Sequence, residues 1–220
     1  DALPIFSQCL RARQILVSKM NEQTLKETTQ LMQMVGRDIF LAHLISSHGG
    51  NISVRVGDEL CITRTGSMLG RLSYTDIVVV PVEGPSERDC EASSELIVHR
   101  ALYQATNAGA VVHTHSPHTI FRSMLEDVIE PIDSEARLFI PRVTVVQSRK
   151  TVGSAEAARL LSEELACESA PPLAVLRGHG PFSTGASLLD AYRWVSVLEC
   201  SCEQLNMRDT LGKPLKDYLQ

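Results

Sequence analysis

Ala110-Val111-Val112-His113-Thr114-His115 is an apolar run that turns into two histidines one residue apart. Asn107-Ala108-Gly109 precedes it as a helix stop, so the six residues read as a buried strand that ends in chemistry. Side chains on a strand alternate faces, which points His113 and His115 the same way, roughly 6.5–7 Å apart along the strand. Two imidazoles at that spacing reach one cation. A third histidine, in Arg177-Gly178-His179-Gly180, follows another short apolar run, Leu173 to Leu176, and has glycine on both sides to relieve crowding. Glu95, near a helix start in Ser93-Ser94-Glu95, supplies a carboxylate. Imidazole and carboxylate together suit Zn2+, and other divalent ions accept the same donors.

Outward from this strand, the chain alternates helical and extended patterns. Residues 7–20 and 24–46 carry apolar positions at helical spacing, with Leu25, Met32, Val35 and Ile39 in the second stretch and Ser47-His48-Gly49-Gly50 as its stop. Ile52–Val56 and Glu59–Thr63 alternate as strands around a Gly57-Asp58 turn, and Ile77 to Val82 is a third strand. Ser93 or Ser94 is the expected N-cap of a helix running to about Thr106. Arg142 to Gln147 reads as a strand, Ala155 to Cys167 as a helix, and Ser187 to Met207 as a long final helix. The pattern predicts a single α/β domain over residues 1–220, with a central, mostly antiparallel sheet flanked by helices in three layers. Residues 1–24 are expected to be an N-terminal extension or helix, and 208–220 a tail.

Composition narrows the function classes. The 220 residues are 44% hydrophobic and 21% charged, as in globular proteins, with a net charge of −5 that disfavours nucleic acid and anionic membrane as partners. No apolar stretch approaches the ~20 residues that span a bilayer, and Asp1-Ala2-Leu3-Pro4 carries no signal-peptide pattern. The six cysteines, at 9, 61, 90, 167, 200 and 202, include no CxxC pair and read as reduced thiols in a cytoplasmic protein.

Three clusters of glycine and hydroxyl residues flank the histidine strand: Gly49-Gly50-Asn51-Ile52-Ser53, Thr63-Arg64-Thr65-Gly66-Ser67 and Ser93-Ser94. Each reads singly as a turn or cap, or as backbone open to an anion such as phosphate. His118 reads as a supporting residue, and His43, His48 and His99 gain no role from spacing. Trp194, Val195, Val197, Leu198 and Leu205 on the last helix read as core or subunit contact, and Glu83 to Glu91 as a solvated loop.

In this order the motifs Gly49–Ser53, Ile62–Gly66, Ser93–Glu95, Val112–His115 and Gly178–Gly180 resemble the class II aldolase and adducin-like family. The resemblance implies a zinc site of one ion per chain from His113, His115 and His179. It makes Glu95 a metal ligand at rest and an acid/base group in turnover. It assigns the phosphate of a sugar phosphate to Asn51, Thr65, Gly66, Ser93 and Ser94, with Gly50 of the same motif, and implies a homotetramer with sites between subunits. The expected reaction is cleavage of a ketose 1-phosphate, of the fuculose 1-phosphate kind, to dihydroxyacetone phosphate and an aldehyde. Epimerases, dehydratases and decarboxylases on this scaffold are the enzymatic alternatives, though epimerases typically carry aspartate at the position of Glu95. Adducin-like interaction proteins lack the histidines. One departure stands out: fuculose-type aldolases use a tyrosine after the histidine pair as second proton donor, and this chain has none between Tyr103 and Tyr192. Asp133, Glu135, Arg137 or Tyr218 are the alternatives.

Overall fold

The computed structural model describes residues 20–167 and 170–212. The helix expected over 7–20, Cys9, Tyr218 and most of the expected tail lie outside them. Helix α1 (Glu22–Leu41) begins where Asn21 accepts the Thr24 N–H, and it buries Met32, Val35, Gly36 and Ile39 on one face. It ends before the expected residue 46 because His43 adopts φ 57°, a left-handed conformation no helix continues through. Strands β1 (Asn51–Val56) and β2 (Glu59–Thr63) form the expected hairpin, with Gly57 at φ +60° in the two-residue turn. Single 3-10 turns at Leu69–Arg71 and Tyr74–Asp76 lead into β3 (Ile77–Pro81). A third, Glu87–Cys90, stands in the charged stretch expected to be a plain loop, where Asp89 pairs with Arg100 and Glu91 with Arg64.

Helix α2 (Leu96–Ala105) follows, then β4 (Ala110–His113), α3 (Pro117–Ser123), β5 (Val128–Ile129), α4 (Ser134–Phe139) and β6 (Val143–Val146). The chain continues through α5 (Ala155–Leu165), β7 (Leu173–Leu176), β8 (Gly180–Gly185) and α6 (Leu188–Leu211). Helix α6 runs into the expected tail and stops at Gly212, whose φ of +61° forms the C-cap. The eight strands form one sheet in the order β3-β2-β1-β4-β8-β7-β6-β5, antiparallel throughout except for the parallel pair β6–β7, which α5 connects. The last strand thus lies between β4 and β7.

Alternation sends β4 residues to opposite faces. Val111 joins a core with Val98, Leu102 and Leu161 of α2 and α5, whereas Ala110 and Val112 face Val35 and Ile39 of α1 and Ala191 and Val195 of α6. Leu198, Cys202 and Leu205 of α6 close a third cluster over β6 and β7, with Trp194 and Val197 packed partly buried against it. This is a three-layer α/β domain. Among the described residues no helix is long and apolar enough to cross a membrane.

A candidate metal centre where two histidine loops meet

Strand β4 delivers His113 at its last position, in register with Asn51 of β1 on one side and Phe182 of β8 on the other. His113 stacks on Phe182, with ring centroids 3.9 Å apart and planes 9° from parallel. The strand ends there, so His115 arrives from a turn rather than from the next same-face strand position. A 2.7 Å contact between the Thr114 and Ser116 hydroxyls holds that turn, and Pro117 opens α3 behind it. His179 comes from the turn between β7 and β8.

The three rings converge. His113 Nε2 stands 3.1 Å from His115 Nε2 and 3.3 Å from His179 Nε2, and the ligand atoms of all three lie within 4.8 Å of one another. The opposite nitrogens fix the tautomers. His113 Nδ1 lies 3.0 Å from Pro181 O, and His179 Nδ1 3.0 Å from Thr151 O. A carbonyl only accepts, so both Nδ1 atoms carry the proton and both Nε2 atoms present lone pairs. Two lone pairs 3.3 Å apart do not make a hydrogen bond; a cation between them satisfies both. Burial, reinforced by the neighbouring imidazoles, holds the proton affinity of His113 well below the usual histidine range and brings His115 down to about 4. Burial also lowers His179. All three are neutral near pH 7, the form that ligates metal.

Glu95 stands beside this triad at the N-cap position of α2, only 2% exposed. The expected serine caps lie one or two residues early: the Ser93 hydroxyl accepts the Glu95 N–H at 3.3 Å, in the turn before the helix. Glu95 Oε1 accepts the Gly153 N–H at 3.1 Å and lies 4.0 Å from His179 Nε2. Its other oxygen is fully buried without a hydrogen-bond partner. Burial pushes the carboxyl up to about 7. Facing imidazole lone pairs, with a buried carboxylate that has one oxygen unpartnered and the other 4.0 Å from His179 Nε2, are a costly arrangement that a divalent cation relieves. Three imidazoles with one carboxylate form a donor set suited to zinc.

The three glycine and hydroxyl clusters meet at the same end of the sheet. Thr63 Oγ1 contacts Ile52 N at 3.3 Å, Thr63 O accepts from Ser93 N, and Thr65 N–H reaches Glu91 O. Asn51 and Ser93 are buried, whereas Thr65, Gly66 and Ser94 are exposed. Gly50, at φ +74°, leaves 2.7 Å between a would-be Cβ and His113 O.

Several supporting residues escaped the sequence. Thr151, Pro181 and Gly153 act through backbone atoms, which carry no side-chain signature. His99, given no role by its spacing, is fully buried against Asn51. Helix α3, also unforeseen, braces both histidine loops. Its first turn donates His118 N–H and Thr119 N–H to the buried Glu199 carboxylate of α6, each at 2.8 Å. Its last residue, Ser123, takes Gly178 N–H on its hydroxyl and the Arg177 guanidinium on its carbonyl. His118 itself faces Asn206 rather than the triad. Asp133 caps α4, and with Glu135 it lines a cavity against Tyr192 and Arg193 of α6.

Two measurements probe this geometry. At Gly49 a Cβ would come within 2.8 Å of His115 Nδ1, so Gly49→Ala should displace that ring and weaken metal affinity by about 10–100-fold, the range for disturbed supporting contacts. A competition titration with a chromogenic chelator reads this, and unchanged affinity would mean His115 is not held as described. The metal-free protein should also lose stability in acid. His99, His113, His115 and His179 all have lowered affinities in the fold, so the unfolded chain takes up protons first as pH falls below about 6.5. Stability present at pH 7 is then lost progressively towards pH 4. Glu95, raised to about 7, works in the opposite direction as one group against four. The net loss by pH 5 should be on the order of a few kcal/mol, read as a lower unfolding temperature after chelator treatment.

Comparison with known proteins agrees with this architecture. Residues 30–205 match the family described as Class II Aldolase and Adducin N-terminal domain, and the chain belongs to that family. A relative from Methanocaldococcus jannaschii, named L-fuculose phosphate aldolase, is 31% identical over 74% of this chain and 87% of its own. A 3-oxo-tetronate 4-phosphate decarboxylase of Haemophilus influenzae is also 31% identical, over 74% of this chain and 79% of its own. Among solved structures, the L-fuculose-1-phosphate aldolase of Thermus thermophilus superposes with a TM-score of 0.78 at 34% identity, covering 86% of this chain and 98% of that one.

Proposed function

We propose that the chain is a zinc-dependent aldolase that cleaves a ketose 1-phosphate of the fuculose 1-phosphate kind to dihydroxyacetone phosphate and an aldehyde. The carrying observation is the facing pair of imidazole lone pairs with the buried Glu95 carboxylate 4.0 Å from His179 Nε2. His113, His115 and His179 would hold one zinc ion per chain, with Glu95 as a fourth ligand at rest. When bound, the ion supplies Lewis-acid stabilisation of the negative charge that develops on the ketone-side oxygens.

The chain's own residues do the rest. Glu95 takes and returns one proton, and a carboxyl poised near pH 7 is matched to that task. Gly50, Asn51, Thr65, Gly66, Ser93 and Ser94 hold the substrate phosphate, whose binding positions the reacting carbons. Exposed Leu138 and Phe139 on α4 favour a homotetramer in which α4 faces a neighbour, and Asp133, Glu135 or Arg137 on that helix serve as the second proton donor in place of tyrosine. A cytoplasmic setting goes with the reading, since no disulfide forms among the described residues.

The test is elemental analysis of protein purified without chelators, together with a coupled assay for dihydroxyacetone phosphate released from fuculose 1-phosphate. About one zinc per chain with release supports the aldolase; zinc without release turns the reading to a decarboxylase. That second reading has its own support in the 31% identity to the Haemophilus influenzae enzyme and in the missing tyrosine. Carbon dioxide evolution from a 3-oxo acid phosphate distinguishes it.

A further inference from the structure

Glu95, His99 and Tyr103 recur every four residues and so form one stripe along the α2 side of the site. Asn51 and Ser53 recur every second residue of β1 and share one face. The stripe lies over that face. His99 Nε2 is 2.6 Å from Asn51 Oδ1, and His99 Nδ1 is 2.6 Å from Ser53 Oγ. The Tyr103 hydroxyl donates to Ser53 O at 3.0 Å and touches Ser53 Oγ at 2.9 Å. His99 and Ser53 are fully buried, and Tyr103 and Asn51 nearly so. Asn51 also sits directly across the β1–β4 ladder from His113.

The partners dictate the proton order. Tyr103 spends its one proton within Ser53, leaving the Ser53 hydroxyl free to donate to His99 Nδ1. The neutral ring then carries its proton on Nε2 and donates to Asn51 Oδ1. Burial drives His99 down to about 3, which keeps the ring neutral throughout the working range. The Asn51 oxygen is thereby occupied, and its two N–H groups remain for a partner outside the network.

We infer that His99 is a positioning residue that locks the Asn51 carboxamide with its N–H groups outward, so that the phosphate subsite beside the metal centre offers donors only. The inference rests on the reading of Asn51 as a phosphate ligand. An unlocked amide would rotate and present its oxygen to the anion, losing part of the affinity to disorder and repulsion.

Two substitutions separate the two sides of the ring. His99→Gln reaches the Nε2 position and preserves a donor to Asn51; His99→Asn reaches the Nδ1 position, preserves the Ser53 contact and drops Asn51. The zinc-loaded full chain is titrated with inorganic phosphate by calorimetry, with zinc content and unfolding temperature measured alongside. H99N should bind phosphate about tenfold more weakly, the worth of one hydrogen bond to an anion, at unchanged zinc content. H99Q should stay within about threefold of the parent chain. In an Asn51→Ala background, H99N should add less than about twofold, because the group it orients is gone. Additive losses, or weakening by N51A with none by H99N, would overturn the positioning role alone. N51A without effect on phosphate would remove the Asn51 subsite itself, and the positioning role with it.

Discussion

A His113→Ala chain should retain less than about 10⁻³ of the parent turnover and carry no bound metal, because the several kcal/mol of Lewis-acid stabilisation go with the ion. His113 is the hub: its Nε2 is the atom closest to both other histidines, at 3.1 and 3.3 Å. Removing it leaves His115, His179 and Glu95 without the imidazole that stands between the other two rings, so the proposed donor set loses its central ligand. The same change opens a cavity against Phe182, so some stability is lost as well. His179→Ala provides the control, since that ring sits on a turn, partly exposed, and leaves no comparable void. Both variants should lose metal and activity together, as read by elemental analysis and steady-state rates. Parent-like turnover in a metal-free variant would end the assignment of this site.

Glu95→Gln should lower turnover by about 10²–10⁴-fold, the contribution of a positioned proton-transfer group. The amide is nearly isosteric, and its oxygen still accepts from Gly153 N–H, so the fold and the start of α2 should survive. It neither takes up the proton nor offers an anionic oxygen, however. Phosphate binding should change little, because Glu95 is not among the residues proposed to hold the phosphate. The discriminating result is the split: a collapse in kcat with phosphate affinity within about threefold, since no charge-assisted contact to the anion is removed. Unchanged kcat would take Glu95 out of the mechanism.

Periodicity placed the centres of several elements better than their ends: α1 stops at Leu41 rather than 46, and β4 at His113 rather than His115. Val35 and Ile39 carry their burial in helical spacing, the Gly57-Asp58 turn makes the expected hairpin, and the apolar run Leu173–Leu176 is the expected buried strand. Strand β8 does not: Gly180-Pro181-Phe182-Ser183-Thr184-Gly185 has weak strand propensity, and it is extended because β4 and β7 pair with it on both sides. Helix α3 is too short for a period, and a carboxylate 80 residues away, Glu199, satisfies its first N–H groups. At the site, the three histidines were legible as residue types, but the reason given for His113 and His115 was only half of the cause. A turn, not strand alternation, turns His115 inward. The tautomer-setting carbonyls of Thr151 and Pro181 have no counterpart in side-chain identity and emerge only from the fold.

The place of β8 in the sheet also sets a timetable. Ala110 pairs with Gly185, so the ladder that anchors His113 stays half-made until the chain beyond it has been synthesised, on the order of ten seconds at ~5–20 residues per second. During that interval β4 presents an open edge, joined by that of β7 only just before β8 is made, and such edges recruit other chains. His179 enters just ahead of the strand that closes both edges. A chain cut short before Gly180 is therefore not a weak version of the whole protein but two unfinished half-sheets, with all three site histidines made and the strand that joins their two loops missing.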